Sequence, residues 1–249
     1  MITVGQIFDY LCSVCPTYTA CDFDNVGLLV GDRENAVRKV MVTLDCDKTA
    51  AEKACAEGFD LIVTHHPVIW DGLKSVTADG MVYKLIRAGV SVISMHTNLD
   101  VAAGGVNDCL CAAIGLQNLE TYIAEDGFAL RCGTADGVNP ETFATHIKNR
   151  LGGGVKYVSG NRDINRVLVC SGSGGSYLNA AANGGFDALV TADVKHNVFI
   201  DAIAAGISLF DAGHYETEKV VCTPLADKLS TQFPDISFEV YNHERIKSI

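Results

Sequence analysis

Short apolar segments rich in Val and Ile alternate along the chain with longer Ala-rich segments, and Gly or Asp separates the two kinds. Apolar runs of about four to eight residues bounded by turn residues are typical of buried strands. The alternation predicts βαβ units, mainly parallel sheets flanked by helices, and therefore the α/β fold class. The predicted strands are residues 38–44, 59–64, 90–95, 166–170, 186–191 and 207–210. The predicted helices are residues 48–57, 79–88, 103–114, 140–150, 176–184, 195–205 and 217–231.

Three of these elements recur in the same order. Residues 58–64 (Gly-Phe-Asp-Leu-Ile-Val-Thr) return at 185–191 as Gly-Phe-Asp-Ala-Leu-Val-Thr, each preceded at the same offset by an apolar strand. Ala88-Gly89-Val90-Ser91-Val92 returns as Ala205-Gly206-Ile207-Ser208-Leu209. A fixed order and spacing indicate internal duplication. The sequence thus predicts two similar α/β halves, residues 1–131 and 132–249, with a turn-rich seam at 132–139.

Composition and charge narrow the class of protein. Of the 249 residues, 48% are hydrophobic and 20% are charged, which is typical of a globular protein with a large core. The net charge of −11 disfavours binding to nucleic acid or to an anionic membrane surface, since both require a cationic face. No apolar run has the length of a transmembrane helix, which is about 20 residues, and the first residues do not resemble a signal peptide. We therefore expect a cytoplasmic protein.

The ten cysteines are expected to be reduced thiols in the core, because nothing points to secretion. Cys12 and Cys15 have the spacing of half a zinc site. No second pair with that spacing follows, so a metal or redox role is the less favoured interpretation.

Histidines follow the predicted strands, where ligands of open α/β sheets bind. His65 and His66 come directly after residues 59–64, His96 follows residues 90–95, and His214 follows residues 207–210. His96 and His214 each have an acidic residue four positions later, Asp100 and Glu218. Residues at that spacing share one face of a helical turn. Neighbours on an extended chain diverge, so His65 and His66 would more easily serve two ions than chelate one.

Imidazole and carboxylate ligands together suit Zn, Mn, Fe, Co or Ni. The sequence therefore predicts a dinuclear metal site in the cleft between the two halves. The other histidines have simpler interpretations: His146 and His243 are expected to be solvated, whereas His196 either lines the cleft, with Asp193 in support, or starts a helix. The Gly-rich segment 170–176 could bind phosphate through its amides or be a plain turn.

Several blocks of sequence resemble the Nif-three-like family, also known as GTP cyclohydrolase I type 2 homologues. These blocks are Asp24–Leu28, Val63–Pro67, His96–Asp100 with Gly104–Asp108, Ser171–Gly175, Val190–His196 and Ala212–Glu218. The resemblance covers nearly the whole chain, without the domain that some members insert between the halves. Ala192 stands where Gly is common, and residues 127–133 match poorly.

The resemblance implies that His65, His66, Asp100, His214 and Glu218 ligate two divalent metal ions, with Glu218 as the bridge. It further implies a homohexamer built as a trimer of dimers. His96 matches a histidine at the edge of the site, and with His196 it is a candidate for moving protons.

Three functions remain open at this point. The first is a metal-dependent hydrolase that opens a ring in a nucleotide or a related phosphorylated small molecule. The second is a non-enzymatic metal-handling or regulatory scaffold protein. The third is a nucleotide-binding module in which the histidines are structural.

Overall fold

The structure is a computed structural model and describes residues 1–243 and residue 246. The strands are β1 (Gly27–Val30), β2 (Lys39–Thr43), β3 (Leu61–Thr64), β4 (Ser91–Ser94), β5 (Gln117–Ile123), β6 (Ala129–Val138), β7 (Lys156–Val158), β8 (Ile164–Ser173), β9 (Ala188–Ala192), β10 (Ser208–Asp211) and β11 (Ser237–Val240). The helices are α1 (Val4–Val14), α2 (Lys48–Ala56), α3 (Met81–Ala88), α4 (Thr97–Val101), α5 (Val106–Ala113), α6 (Pro140–Leu151), α7 (Leu178–Asn183), α8 (His196–Ala205), α9 (His214–Glu218) and α10 (Cys222–Gln232).

The first compact unit comprises Met1–Gly105 together with Cys222–His243. Its five-stranded sheet has the order β1-β4-β3-β2-β11, in which β4, β3, β2 and β11 are parallel and β1 is antiparallel to β4. The middle strands β2, β3 and β4 are almost wholly buried because helices cover the sheet. This pattern is typical of strands in parallel sheets.

The second unit comprises Val106–Val221 and holds a six-stranded sheet of order β5-β6-β8-β9-β10-β7. Here β8, β9 and β10 are parallel, and antiparallel strands flank them. Successive residues of β8 enter two separate clusters of apolar side chains: Val167 and Val169 enter one, Leu168 enters the other. This alternation follows from the two-residue period of a strand. Both units thus confirm a mixed α/β fold with parallel strands at the centre of each sheet.

The repeated segment has the same structural role in both units. Asp60 and Asp187 each accept hydrogen bonds through Oδ2 from two consecutive backbone N–H groups at the start of the neighbouring strand. The donors are Arg38 and Lys39 in the first unit and Asn165 and Arg166 in the second. The carboxylate therefore fixes the register of two parallel strands, β2 with β3 and β8 with β9.

The other repeated residues also have matching environments. Gly58 and Gly185 both have a φ of +68°, a left-handed conformation that favours glycine. Phe59 and Phe186 are both buried in the core of their unit. The duplication seen in the sequence therefore corresponds to a repeated arrangement of backbone hydrogen bonds and packing.

The boundaries of the units differ from the sequence division at 131/132. The structure divides the chain between Gly105 and Val106, and residues 132–138 of the expected seam lie inside β6. Gly133, Asp136 and Gly137 give this stretch the composition of a turn, but β6 pairs with β5 on one side and β8 on the other. Local composition does not reveal such pairing. The chain also returns to the first unit at its end, where β11 pairs with β2.

The predicted single helix at 217–231 is wrong. It is divided into α9, a 3-10 turn at Lys219–Val221, and α10. Pro224 lies in the first turn of α10, where a residue without an N–H group is tolerated; farther inside a helix it would remove a hydrogen bond. Seven observed elements are not among the predicted strands and helices: α1, α4, β1, β5, β6, β7 and β11.

The cysteines agree with the expectation of core thiols. Each of the ten is buried or half-buried, and none is part of a disulfide within the described residues. Burial raises the pKa of the Cys15, Cys46 and Cys111 thiols to about 12. These side chains are therefore protonated, unreactive packing groups at neutral pH. Separately, every helix in the described part of the chain is too short or too polar to traverse a bilayer.

We expect Asp187→Ala to lower the free energy of unfolding by about 1.5–3 kcal/mol, since two backbone N–H groups lose a charged acceptor. Urea denaturation followed by circular dichroism measures this change. Asp201→Ala is the matched control, because Asp201 is exposed on α8 and its loss should change stability by less than about 0.5 kcal/mol. Equal effects of the two substitutions would contradict the register role of Asp187.

Candidate metal centre

The parallel strands of the first unit deliver a group of polar side chains to one edge of the sheet. Asp45 follows β2, His65 and His66 follow β3, and His96 follows β4. The backbone pairing continues past the strand ends, because the N–H groups of His65 and His66 donate to the carbonyls of Thr43 and Leu44. The positions of these side chains are therefore set by the register of the sheet.

Three imidazoles of this unit form one group. Ligand nitrogens of His65, His66 and His96 all lie within 4.8 Å of one another. The rings of His65 and His66 have centroids 5.1 Å apart, although neighbours on an extended chain were expected to diverge. The chain bends at these two residues, and Thr64 Oγ1 lies 3.2 Å from the carbonyl oxygen of His66. Asp100 adds a carboxylate whose Oδ1 lies 3.7 Å from His65 Nε2.

An oxygen atom holds the Nδ1 atom of each of these imidazoles. His65 Nδ1 lies 2.9 Å from the carbonyl oxygen of Met95, His66 Nδ1 lies 2.7 Å from Asp45 Oδ1, and His96 Nδ1 lies 2.9 Å from Asp24 Oδ1. A carbonyl oxygen only accepts, so Nδ1 of His65 carries the proton and Nε2 has the lone pair. Carboxylates favour the same tautomer in the other two rings. Orientation of this kind is the usual support of imidazoles that bind metals.

Among these oxygen acceptors, the Asp24 carboxylate accepts three hydrogen bonds. Its side chain is fully buried and accepts from His96 Nδ1, from the Thr97 backbone N–H and from Thr97 Oγ1. Burial by itself raises the pKa of Asp24, but the hydrogen bonds from His96 and Thr97 outweigh it and bring the pKa to about 2. Asp24 is therefore ionised at neutral pH and holds the His96 ring in one orientation.

The second unit holds a smaller group on α9. His214 Nε2 lies 3.0 Å from Glu218 Oε2, which is the pair predicted from the four-residue spacing. His214 Nδ1 lies 2.7 Å from Asp193 Oδ2, so Asp193 has the supporting contact that its sequence position suggested. The hydrogen bond to Glu218 raises the pKa of His214 to about 9 against the opposing effect of burial, and Asp193 adds to the rise. Imidazole nitrogen and carboxylate oxygen at this distance suit a first-row divalent cation.

The Gly-rich segment packs against this pair rather than presenting a set of open amides. Gly172 has a φ of +57°, and a Cβ atom there would lie 2.2 Å from Glu218 Oε1. Three of its amides are used within the unit: Ser171 donates to Asn107 Oδ1, Gly172 to Thr217 Oγ1 and Gly174 to Thr191 Oγ1. The structure therefore favours the turn interpretation over phosphate binding for these amides.

The other histidines fall outside these two groups of side chains. His146 is exposed on α6 with Nε2 3.0 Å from the Ile114 carbonyl oxygen, and His243 is exposed against the ring of Tyr241. His196 is the exposed first residue of α8, which fits the helix-starting interpretation. Two residues that contact the imidazoles were not identified from the sequence. Asp45 holds His66, and its position directly after β2 could have revealed it. The ring of Trp70 lies 5.2 Å from that of His96.

Comparison with known proteins identifies the class. The family model Duf34/NIF3 (NGG1p interacting factor 3) matches residues 2–248, and the chain belongs to this family. A Lactococcus lactis protein named "GTP cyclohydrolase 1 type 2 homolog" is 31% identical over 239 residues, covering 92% of this chain and 91% of the relative. A Clostridium perfringens protein of the same name is 28% identical over 251 residues, covering 95% of each chain.

Solved structures agree with this membership. The crystal structure of Staphylococcus aureus protein SA1388 matches with a TM-score of 0.90 and 28% identity over 99% of each chain. A Bacillus cereus protein related to NIF3 matches with a TM-score of 0.88, 21% identity, and coverage of 100% of this chain and 99% of the other. The second likeness supports the fold. The resemblance found in the sequence is thereby confirmed.

We expect Gly172→Ala to lower the stability of the second unit by more than the cost of placing an alanine in a left-handed backbone conformation. That conformation costs about 1–2 kcal/mol, and the new methyl group must also displace the Glu218 carboxylate. Gly206→Ala is the matched control, because Gly206 has a φ of +67° and a Cβ there meets nothing within 4 Å. Thermal and urea unfolding of both variants measure the difference. Equal losses would contradict the close packing of Glu218 on Gly172.

Proposed function

We propose that this protein is a metal-dependent hydrolase that binds two divalent ions per chain. The proposed ligands are His65, His66 and Asp100 from the first unit and His214 and Glu218 from the second. The observation that carries the proposal is the common orientation of the imidazoles. Each of the three proposed histidine ligands has its Nδ1 atom next to an oxygen atom, and this orients Nε2 as the ligand atom.

The donor set fits a transition metal better than calcium or magnesium. Imidazole nitrogens suit Zn, Mn, Fe, Co and Ni, whereas calcium and magnesium prefer oxygen alone. A closed structural zinc site would use four Cys or His ligands, whereas the proposed set includes the carboxylates of Asp100 and Glu218. Bound ions of this kind polarise an electrophile and promote the ionisation of water.

Ring-opening hydrolysis requires a proton to move. A water oxygen bonds to the ring carbon, the carbon–nitrogen bond breaks, and the nitrogen atom takes a proton. His96 is the proposed group for this transfer, because Asp24 holds its Nδ1 atom and leaves Nε2 to exchange the proton. A role for His196 as a second proton-transfer residue stays a prediction from the sequence.

The proposed substrate is a nucleotide or a related phosphorylated small molecule. The support is the name that the relatives share, "GTP cyclohydrolase 1 type 2 homolog", which makes GTP the first compound to test. Assembly as a homohexamer stays a prediction from the family resemblance.

We expect the protein purified without an affinity tag, and supplied with Zn²⁺ or Mn²⁺, to retain about two equivalents of metal per chain. His65→Ala and His214→Ala should each lower the metal content measured by inductively coupled plasma mass spectrometry. Asp45→Asn should weaken metal affinity by about 10- to 100-fold, because Asp45 holds the Nδ1 atom of the proposed ligand His66. His146→Ala and Asp22→Asn are matched controls outside the proposed ligand set. A parent protein with far less than one equivalent of metal would contradict the proposal.

We expect the metal-loaded protein to hydrolyse GTP, with the change in purine absorbance and the chromatographic product as measurements. Asp100→Ala should lower the rate by about 10- to 100-fold or more, since a ligand is lost. Absence of turnover with GTP, with a panel of phosphoesters and with cyclic amides would contradict the hydrolase proposal. If the metals were then retained without exchangeable water, the metal-handling scaffold would be the function instead.

A further inference from the structure

Trp70 is the only tryptophan of the chain, and 52% of it is exposed. It lies in the segment between β3 and α3, four residues after His66. Its ring centroid is 5.2 Å from that of His96 and 6.3 Å from that of His66. The indole therefore stands beside the imidazole group of the first unit, with much of its surface open to solvent.

The backbone just before the indole is held in place. Val68 and Ile69, just before it, pack on the apolar core of the unit, and Asn25 Nδ2 donates to the Ile69 carbonyl oxygen at 2.7 Å. Asn25 follows Asp24, which holds Nδ1 of His96. Two consecutive residues thus position both the imidazole and the backbone that carries the indole.

Packing against neighbouring side chains does not explain why the indole is placed beside His96 with half of its surface exposed. The rings of Trp70 and His96 meet at 88°, an edge contact that uses little of the indole surface. Tyr18 and Phe23 are more exposed, but within the described residues neither has a ring contact with a candidate ligand. Leu73 and Val76 of the same segment are also about half exposed, so the apolar surface extends beyond Trp70.

We propose that the exposed face of Trp70 stacks on the planar heteroaromatic ring of the substrate and holds that ring beside the metal ligands. The inference rests on the proposed function, which supplies a ring-containing substrate. Aromatic side chains stack on any nucleobase because every base has a π-face. Trp70 therefore selects a flat ring without identifying the base, and it is a positioning residue rather than one that transfers protons.

The test uses the metal-loaded full chain and guanosine as the probe, with ribose as the control that lacks the ring. Because Trp70 is the only indole, its emission reports directly on stacking at this position. We expect guanosine to quench the emission and ribose to leave it unchanged. Equilibrium dialysis measures guanosine affinity in variants that lack the indole.

Trp70→Leu should weaken guanosine binding by about 5- to 150-fold, the range expected for loss of one aromatic stacking contact. Trp70→Phe should retain most of the affinity because an aromatic face remains. Tyr18→Leu, an exposed aromatic away from the segment, should bind as the parent does. Equal guanosine affinity in the parent and in Trp70→Leu would overturn the inference.

Metal content measured on the same samples separates this inference from the proposed function. A parent that binds metal but not guanosine overturns the role of Trp70 and leaves the metal proposal standing. A parent that binds guanosine through Trp70 but retains no metal overturns the metal proposal and supports the stacking role.

Discussion

The register of the parallel strands is the constraint on which the candidate site depends. Asp60 and Asp187 fix it by accepting pairs of backbone N–H groups from the adjacent strand. A shift of one residue along β3 would turn each side chain to the opposite face of the sheet. His65 and His66 would then no longer meet Met95 and Asp45. The hydrogen bonds that fix the register thus also fix the geometry of the imidazoles.

Oxygen acceptors fix the orientation of the imidazoles. A free histidine has two neutral tautomers and a freely turning ring, whereas His65, His66, His96 and His214 each have Nδ1 at 2.7–2.9 Å from an oxygen atom. The acceptors are one backbone carbonyl and three aspartates. Such preorganisation lowers the cost of binding a cation, because the rings are already held in place. It favours metal binding over a purely structural interpretation of these histidines.

The two copies of the repeat have diverged in what they carry at their strand ends. After the repeated Thr, the first unit has His65 and His66, whereas the second has Ala192 and Asp193. Asp193 supports His214 instead of acting as a second imidazole. Gly172 in the second unit leaves room for the Glu218 carboxylate, which a side chain would displace. The two copies therefore share a backbone arrangement but differ in the side chains at their strand ends.

The amino-acid sequence determined the α/β class, the repeat, and the placement of histidines after strands, because strand periodicity and residue order are local properties. It also determined the pairing of His214 with Glu218, since four-residue spacing on a helical turn is local geometry. Tertiary structure alone decided that β6 crosses the expected seam and that β11 joins the first sheet, since these are pairings between distant segments. It likewise decided that Asp24 and Asp45 support His96 and His66 and that Trp70 faces His96. Those contacts join residues at least 21 positions apart in the chain, where side-chain packing rather than local pattern fixes which atoms meet.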